Sequence, residues 1–383
     1  MTARVLFYVQ HLLGIGHLKR AEILAEAMAA MGLKVTVAYG GHPIEEVRFR
    51  NVKVAQLPPA TIANEVFTEL LGENGLPVDD TWRSARRTAL LDLHDKLNPD
   101  VVLIELFPFG RRQFAFELIP LLDAVHVTKN RSQVACSVRD VLVASKKPGR
   151  EEEAVARARR YFDTIFVHGD PALIPFGSTF TAAGEIDDLI QHTGYVAAAG
   201  AATSTEGKDE VLVSAGGGAV GAPLLLAAFE ARPLTPLARH TWRFLTGPNF
   251  PDDDFERLSG RADANTIVER FRSDFSARLR TSALSISQAG YNTTMDILQS
   301  GARAVVVPYQ TKGETEQRLR AELLAEKGLL TVVPESKLSP SRLAKGVADE
   351  LRRPAETLTV DFSGAETTAR LIQRLAARRI AQR

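Results

Sequence analysis

Residues 210–231 read EVLVSAGGGAVGAPLLLAAFEA. A short run of Val and Leu reaches Ser214, a glycine-rich turn follows, and a Leu- and Ala-rich helix begins at once. Gly216, Gly218 and Gly221 satisfy G-x-G-x-x-G between a strand and a helix. Glycines let a ligand approach the backbone, and the free N–H groups at a helix start point at an anion. A phosphate is the natural ligand of such a turn; a tight strand–helix connection with no ligand is the alternative.

The same alternation runs outward in both directions. Toward the N-terminus, strands are expected at Val5–Val9, Lys34–Tyr39, Val52–Leu57, Val101–Glu105, Val134–Val138 and Thr164–His168. Helices are expected at Leu18–Met31, Arg83–Leu97 and Arg111–Leu122. Toward the C-terminus, strands are expected at Glu210–Ser214, Arg243–Thr246, Thr266–Glu269, Ala283–Ser287, Ala304–Val307 and Leu330–Val333. The helices there are Ala222–Ala231, Thr293–Gln299, Glu314–Glu326 and Pro340–Arg352. Apolar strands without polar alternation are covered on both faces, which means parallel sheets between helices. Residues 192–210, HTGYVAAAGAATSTEGKDE, break the rhythm with small and polar residues and read as an interdomain linker. The expected fold class is therefore α/β, with two doubly wound domains of similar size. Ligands of such sheets bind beyond the carboxyl ends of the strands.

Composition narrows the function. The chain has 383 residues, 45% of them hydrophobic, enough for two cores. Lys and Arg number 47 against 46 acids, a net charge of +1, which argues against nucleic acid as a partner. Cys136 is the one cysteine, so no internal disulfide or cysteine-based zinc site is expected. No apolar run reaches the ~20 residues that span a bilayer, and Val5–Val9 is too short for a signal peptide. A soluble cytoplasmic protein is the expectation. A nicotinamide dinucleotide is disfavoured, because the strands after both glycine loops end in Gly40-Gly41 and Thr246-Gly247 rather than in a carboxylate.

Residues 282–324 read SALSISQAGYNTTMDILQSGARAVVVPYQTKGETEQRLRAELL. One strand ends at Ser287, Gly290 turns the chain, and Asn292 or Thr293 can cap the next helix. Asp296 sits one turn in. Another strand ends near Pro308 and Gln310, before Glu314, Glu316 and Gln317. Two successive strand ends thus present hydroxyls, amides and carboxylates, groups suited to a ribose or a sugar. Asp296 can equally complement a helix dipole, and the Glu314–Gln317 segment can be a solvated helix start.

This stretch resembles the donor-binding half of GT-B glycosyltransferases, specifically the MurG-type enzymes, whose family carries a glycosyltransferase 28 C-terminal domain and uses UDP-N-acetylglucosamine. The GIGH of residues 14–17 and the loop Gly216–Gly221 resemble that family's two glycine loops. The resemblance implies the GT-B fold: two Rossmann-like domains facing a central cleft, residues 1–195 for the acceptor and 196–365 for the donor, with a helix at 366–383 crossing back. It implies that Gly217, Gly218 and Thr294 cradle the diphosphate, that Gly290 and Thr293 belong to the same donor-binding set, that Asp296 holds the ribose, and that the backbone near Arg270 and Phe271 meets the base. Glu316 and Gln317 would contact the sugar, with Gln310 in the same donor-binding set, although residues 311–316 are one residue longer than in relatives. The implied reaction is an inverting, metal-independent transfer from a UDP-sugar, with no cofactor beyond that donor. A nucleotide-sugar hydrolase and a non-catalytic nucleotide-sugar-binding protein are the rival readings.

In the first domain, Gly14 and Gly16 place His17 at the mouth of a helix. A histidine there, titrating near neutrality, can take a proton from an acceptor hydroxyl or from water; a structural histidine bonded to a carbonyl is the alternative. Glu105 ends its strand and can assist His17 or bind acceptor, or pair with Arg111 or Arg112. Arg139 and Asp140 read as an ion pair, and Asp170 after His168 as a turn cap. The acids of PDDDF, residues 251–255, read as a solvated loop rather than a metal site. In the tail, Arg370, Arg374 and Arg378 recur beside an apolar stripe of Leu371, Ile372 and Leu375, which can touch a membrane's inner face or pack on the protein. The acceptor, a sugar or a lipid-linked one, and the oligomeric state are not fixed by the sequence.

Overall fold

In the computed structural model, alternation along each strand decides where its side chains go. The strand β1 (Arg4–Val9) is buried from Val5 onward. Val5, Phe7 and Val9 pack on one face and Leu6 and Tyr8 on the other, so a continuous apolar run is the pattern of a strand covered twice. The structure describes residues 2–12, 16–44, 47–62, 69–143, 148–197, 207–217, 220–310, 315–354 and 359–381.

The chain forms two compact units, Met1–Val196 with Asp361–Arg383, and Ala197–Val360. The first holds β1, the helix α1 (Gly16–Ala30), β2 (Lys34–Tyr39), β3 (Lys53–Gln56) and a small antiparallel pair, β4 (Thr61–Ile62) and β5 (Leu70–Leu71). It continues with α2 (Asp80–Leu97), β6 (Val101–Glu105), α3 (Ala115–Val127), β7 (Gln133–Arg139), α4 (Arg150–Tyr161), β8 (Thr164–His168) and β9 (Ile190–His192). The parallel sheet has the order β3-β2-β1-β6-β7-β8-β9. Its order reverses between β1 and β6, which makes that the switch point.

The second unit holds β10 (Val211–Ser214), α5 (Ala222–Ala231), β11 (Trp242–Leu245), α6 (Asp252–Ser259), β12 (Thr266–Glu269), α7 (Phe275–Leu279), β13 (Leu284–Ser287), α8 (Tyr291–Ser300), β14 (Ala304–Val306), α9 (Glu316–Glu326), β15 (Thr331–Val332) and α10 (Pro340–Arg352). The order is β12-β11-β10-β13-β14-β15, all parallel, with the switch point between β10 and β13. One face is an apolar core built on Val211, Val213, Phe244, Ile286 and Val305. The other carries Ser285, Ser287 and Arg243, whose guanidinium is held by both oxygens of Glu210 at 2.8 Å.

The last helix, α11 (Gly364–Ala381), belongs to the first unit and packs on α1. Ile372, Leu375 and Ala376 enter the core, so the apolar stripe is spent on the protein and Arg370, Arg374 and Arg378 remain exposed. Arg379 anchors the helix to Asn98 Oδ1 at 2.6 Å. Among the described residues, no helix is long and apolar enough to cross a membrane. The PDDDF segment is not a loop: Asp252, Asp253 and Asp254 form the first turn of α6, where acids complement the helix dipole. Part of the expected linker, residues 198–206, lies outside the described residues.

Candidate functional site

In the first unit, the carboxyl ends of β1, β6 and β7 converge beside the start of α1. Gly16 opens that helix and His17 follows; Gly14 lies outside the described residues. Glu105, the last residue of β6, is 1% exposed and its Oε1 lies 2.5 Å from His17 Nδ1. Arg20 Nη2 reaches the same oxygen at 2.8 Å, and Arg111 Nε stands 3.6 Å from Oε2. Arg139, the last residue of β7, donates to His17 Nε2. Both ring nitrogens are thus engaged, with the Nδ1 proton facing the carboxylate and the Nε2 lone pair facing the guanidinium.

The near-neutral titration expected of His17 is not what this surrounding produces. Burial first, then Arg139, push the imidazole down to about 3, against the opposing pull of Glu105. Burial alone would raise the Glu105 carboxyl, but His17, Arg111 and Arg20 outweigh it and hold it below its ordinary value. At neutral pH the pair is a neutral imidazole beside an ionised carboxylate, which leaves Nε2 unprotonated. The partners of His17 are side chains rather than a backbone carbonyl. Arg112, read as a candidate partner of Glu105, instead lies 3.5 Å from Glu153. Arg20 was not singled out from the sequence, yet its spacing of three from His17 puts both on one helical face. His168 is bound on both sides, to Ser137 Oγ at 2.7 Å and Thr193 Oγ1 at 2.9 Å, and Asp170 Oδ1 accepts from Ala172 N.

In the second unit the two loops at the switch point meet. After β10 the chain turns through Gly216, whose φ of +59° favours glycine, to Gly217; Gly218 lies outside the described residues. The chain then folds back so closely that a Cβ on Gly221 would stand 2.1 Å from that of Ala215. After β13 the Gln288 side chain donates to the Val220 carbonyl at 3.4 Å, joining this loop to the first. Gly290, not Asn292 or Thr293, is the N-cap of α8, while Gly221 caps α5, and neither helix has a side-chain cap. Among the described residues, then, no side-chain cap covers the first-turn N–H groups of α8, or those of Ala222 and Leu224 in α5, where Pro223 has none. A Cβ on Gly290 would meet nothing within 4 Å, and one on Gly217 only Asn249 Nδ2 at 4.0 Å. Packing does not demand glycine at either position, whereas a ligand against the backbone would. Thr294 and Ser287 are buried, and among the described residues their hydroxyl oxygens have no hydrogen-bond partner.

The remaining positions spread around these loops. Thr293 is half-buried in the first turn of α8. Asp296, one turn in, accepts from Ser276 Oγ at 2.8 Å, and burial raises its carboxyl. Arg270 follows β12, donates to Phe250 O at 2.8 Å and lies 4.4 Å over the Phe255 ring, while Phe271 is 71% exposed. Gln310 is exposed and its N–H donates to Glu335. Gln317 Oε1 accepts from Tyr309 N at 3.2 Å. Glu316 is not part of a solvated helix start: it is buried against Arg320 at 2.6 Å, whose guanidinium covers the Tyr291 ring of α8. Glu314 lies outside the described residues.

Residues 212–375 match the family described as the Glycosyltransferase family 28 C-terminal domain. A UDP-N-acetylglucosamine–N-acetylmuramyl-(pentapeptide) pyrophosphoryl-undecaprenol N-acetylglucosamine transferase from Rhizobium etli is 30% identical over 105 residues, covering 27% of this chain and 28% of its own. The protein of the same description from Rhodopseudomonas palustris is 29% identical over 175 residues, 45% and 46% of the two chains. The matched segments thus span less than half the length of these relatives. Among solved structures, MurG of Acinetobacter baumannii superposes with a TM-score of 0.62 at 15% identity, over 99% of both chains. The calicheamicin glycosyltransferase CalG4 gives 0.63 at 15% identity, over 99% of this chain and 95% of its own. Residues 212–375 thus match a glycosyltransferase family 28 C-terminal domain, and the chain has the GT-B fold of these solved structures.

Proposed function

We propose that the chain is a glycosyltransferase that moves N-acetylglucosamine or a related hexose from a UDP-sugar to an acceptor hydroxyl, with inversion and without a metal. The observation that carries this reading is the pair of uncapped helix starts at α5 and α8, with open space over Gly217 and Gly290. The backbone amides there, with Gly218, Thr293 and Thr294, would take the diphosphate, whose leaving charge is met by two helix dipoles. Asp296 would hold the ribose, and the backbone at Arg270 and Phe271 the base. Gln310 and Gln317 would face the sugar. The Glu316 carboxylate is already spent on Arg320, so its contribution is to fix α9.

In the first unit, His17 Nε2 takes the acceptor proton while Glu105 holds Nδ1–H and so fixes the tautomer. The acceptor oxygen bonds to the anomeric carbon, the bond from that carbon to the diphosphate oxygen breaks on the opposite side, and UDP leaves. Gly14 and Gly16 would let acceptor or phosphate approach the backbone. The curated relatives' description names a lipid-linked acceptor, pyrophosphoryl-undecaprenol. It supports a lipid-linked or polysaccharide-precursor acceptor of cell-envelope biosynthesis, met at the inner face of a membrane.

A thermal-shift panel of nucleoside diphosphates and their sugars tests the donor site. A UDP-sugar at one hundred times its dissociation constant should add roughly 2.7 kcal/mol of stability, with ADP, GDP and NAD inert. UDP release from UDP-N-acetylglucosamine should require an acceptor and be lost in His17→Ala with the UDP shift retained. No stabilisation by any UDP compound, or unchanged turnover in His17→Ala, overturns the assignment. Fast release without acceptor assigns a hydrolase instead.

A further inference from the structure

The nitrogen that the proposed mechanism needs is occupied. His17 Nδ1 faces Glu105, so the lone pair is on Nε2, and Arg139 donates to it. A guanidinium stays protonated throughout the accessible pH range, so it neither gives Nε2 a proton nor lets another donor reach it. The other charged groups around the ring do not replace it. Glu105 from β6 holds the opposite nitrogen, Arg20 from α1 is 3.4 Å from Nδ1 and shares the Glu105 oxygen, and Arg111, beyond β6, faces Glu105 Oε2. Arg139 sits at the end of β7, 122 residues along the chain from His17, so only the assembled sheet brings it there.

We propose that Arg139 gates the base: its guanidinium covers His17 Nε2 in the free protein and must be drawn off by an anionic oxygen of a bound substrate before Nε2 can accept a proton. The inference rests on His17 being the base. Guanidinium groups bind phosphate and carboxylate oxygens through two parallel charge-assisted hydrogen bonds, a stronger and better-fitting partner than one neutral imidazole nitrogen. Water reaching the empty site would therefore find the base covered, and a donor would be protected from hydrolysis until the anion arrives. The device makes Arg139 a positioning residue, acting through His17 rather than on the sugar.

The test reads the imidazole directly. In the full chain, 15N-labelled at histidine, the His17 signals are assigned by their loss in His17→Gln. The wild type should show the Nδ1–H tautomer with Nε2 hydrogen-bonded. Arg139→Gln should free Nε2, raise the pKa of His17 by about one unit or more, and speed acylation of His17 by diethylpyrocarbonate. Arg139→Lys, which keeps the charge, should hold the pKa down, a difference that a merely structural role would not produce. Inorganic phosphate or UDP added to the wild type should move Nε2 toward its position in Arg139→Gln. A response to phosphate assigns the opening to a free phosphate-like group, and a response to UDP alone to the nucleotide. Unchanged tautomer, titration and acylation in Arg139→Gln, or no response to either anion, overturns the gate. Failure of the glycosyltransferase reading would look different: no UDP stabilisation, with the Arg139→Gln effects intact.

Discussion

Glu105 Oε1 and His17 Nδ1 stand 2.5 Å apart, although 88 residues separate them and they lie on different elements. The carboxylate fixes which ring nitrogen carries the proton and steadies the imidazolium that forms when Nε2 accepts one. Glu105→Gln keeps the shape and removes the charge. Turnover should then fall by roughly 10²–10⁴, the range of a general base's contribution. UDP stabilisation should be largely retained, because the proposed donor loops belong to the second unit. Equal turnover in the variant would show that the pair is structural.

The glycines of the second unit divide by what stands over them. Gly217→Ala places a methyl group in ordinary contact with Asn249 Nδ2 at 4.0 Å, so stability should change by less than about 0.5 kcal/mol. UDP affinity should nevertheless drop by about tenfold or more, because the methyl group intrudes where a diphosphate would meet the amides. Gly221→Ala should do the reverse kind of damage. Its methyl group collides with Ala215, costing about 1–3 kcal/mol of stability. Paired urea titrations and UDP isotherms separate the two, and intact UDP binding in Gly217→Ala would remove the loop from the site.

Element type and position were legible because both sheets are parallel and doubly covered, whereas the strand order came only with the fold. β2, β6, β8 and β12 begin and end where the apolar runs do. The helix α4 was missed: its buried side is Ala154, Val155, Ala158 and Tyr161, mostly small residues amid charge. The helix α6 was hidden by its three leading aspartates, which look like a loop until the helix dipole is considered. His17 and Glu105 were singled out because each sits at a strand–helix junction, which sequence displays, and the fold brings the two together. Arg139 over Nε2, Ser276 on Asp296 and Arg320 on Glu316 were not, since those pairings arise only when side chains meet across folded elements. The last is spaced as an ordinary surface pair, and only burial changes its meaning.

Acid should weaken the fold before any carboxylate titrates. Burial, then Arg111 and His42, lower His11 to about 4, and burial and Arg139 lower His17 to about 3. Below the ordinary imidazole value of 6.5 the unfolded chain takes up protons that the folded chain refuses, so stability falls as pH drops. From 6.5 down to about 5.5, carboxylates of ordinary acidity are largely ionised in both states, and histidine dominates the slope. Each such group contributes about 1 kcal/mol per pH unit once pH is well below its unfolded pKa. Urea midpoints measured across that window should decline in the wild type and decline less steeply in His17→Gln. A flat profile in the wild type would mean that the imidazoles are charged in the folded state.

The strand ends leading into the His17 loop are themselves clamped by a fully buried ion pair. Arg86 of α2 and Glu117 of α3 meet at 2.8 Å with neither side chain exposed. Glu117 also accepts from Tyr8 Oη at 2.5 Å, and Arg86 donates to Gln10 Oε1 at 2.6 Å and to the carbonyls of Gly40 and Pro58. One guanidinium thus ties the ends of β1 and β2 to two helices, and the Trp82 and Phe114 rings flank it at 5.4 and 5.0 Å. Arg86→Met leaves Glu117 charged and buried, which should cost about 3–5 kcal/mol. Replacing both, as Arg86→Met with Glu117→Leu, removes the stranded charge and should recover part of that loss, making the double variant more stable than Arg86→Met alone. If the two single costs simply add in urea unfolding, Arg86 and Glu117 are not coupled. If they do couple, the first unit spends that stability on fixing Gln10 and His11, the residues from which the chain sets out toward His17.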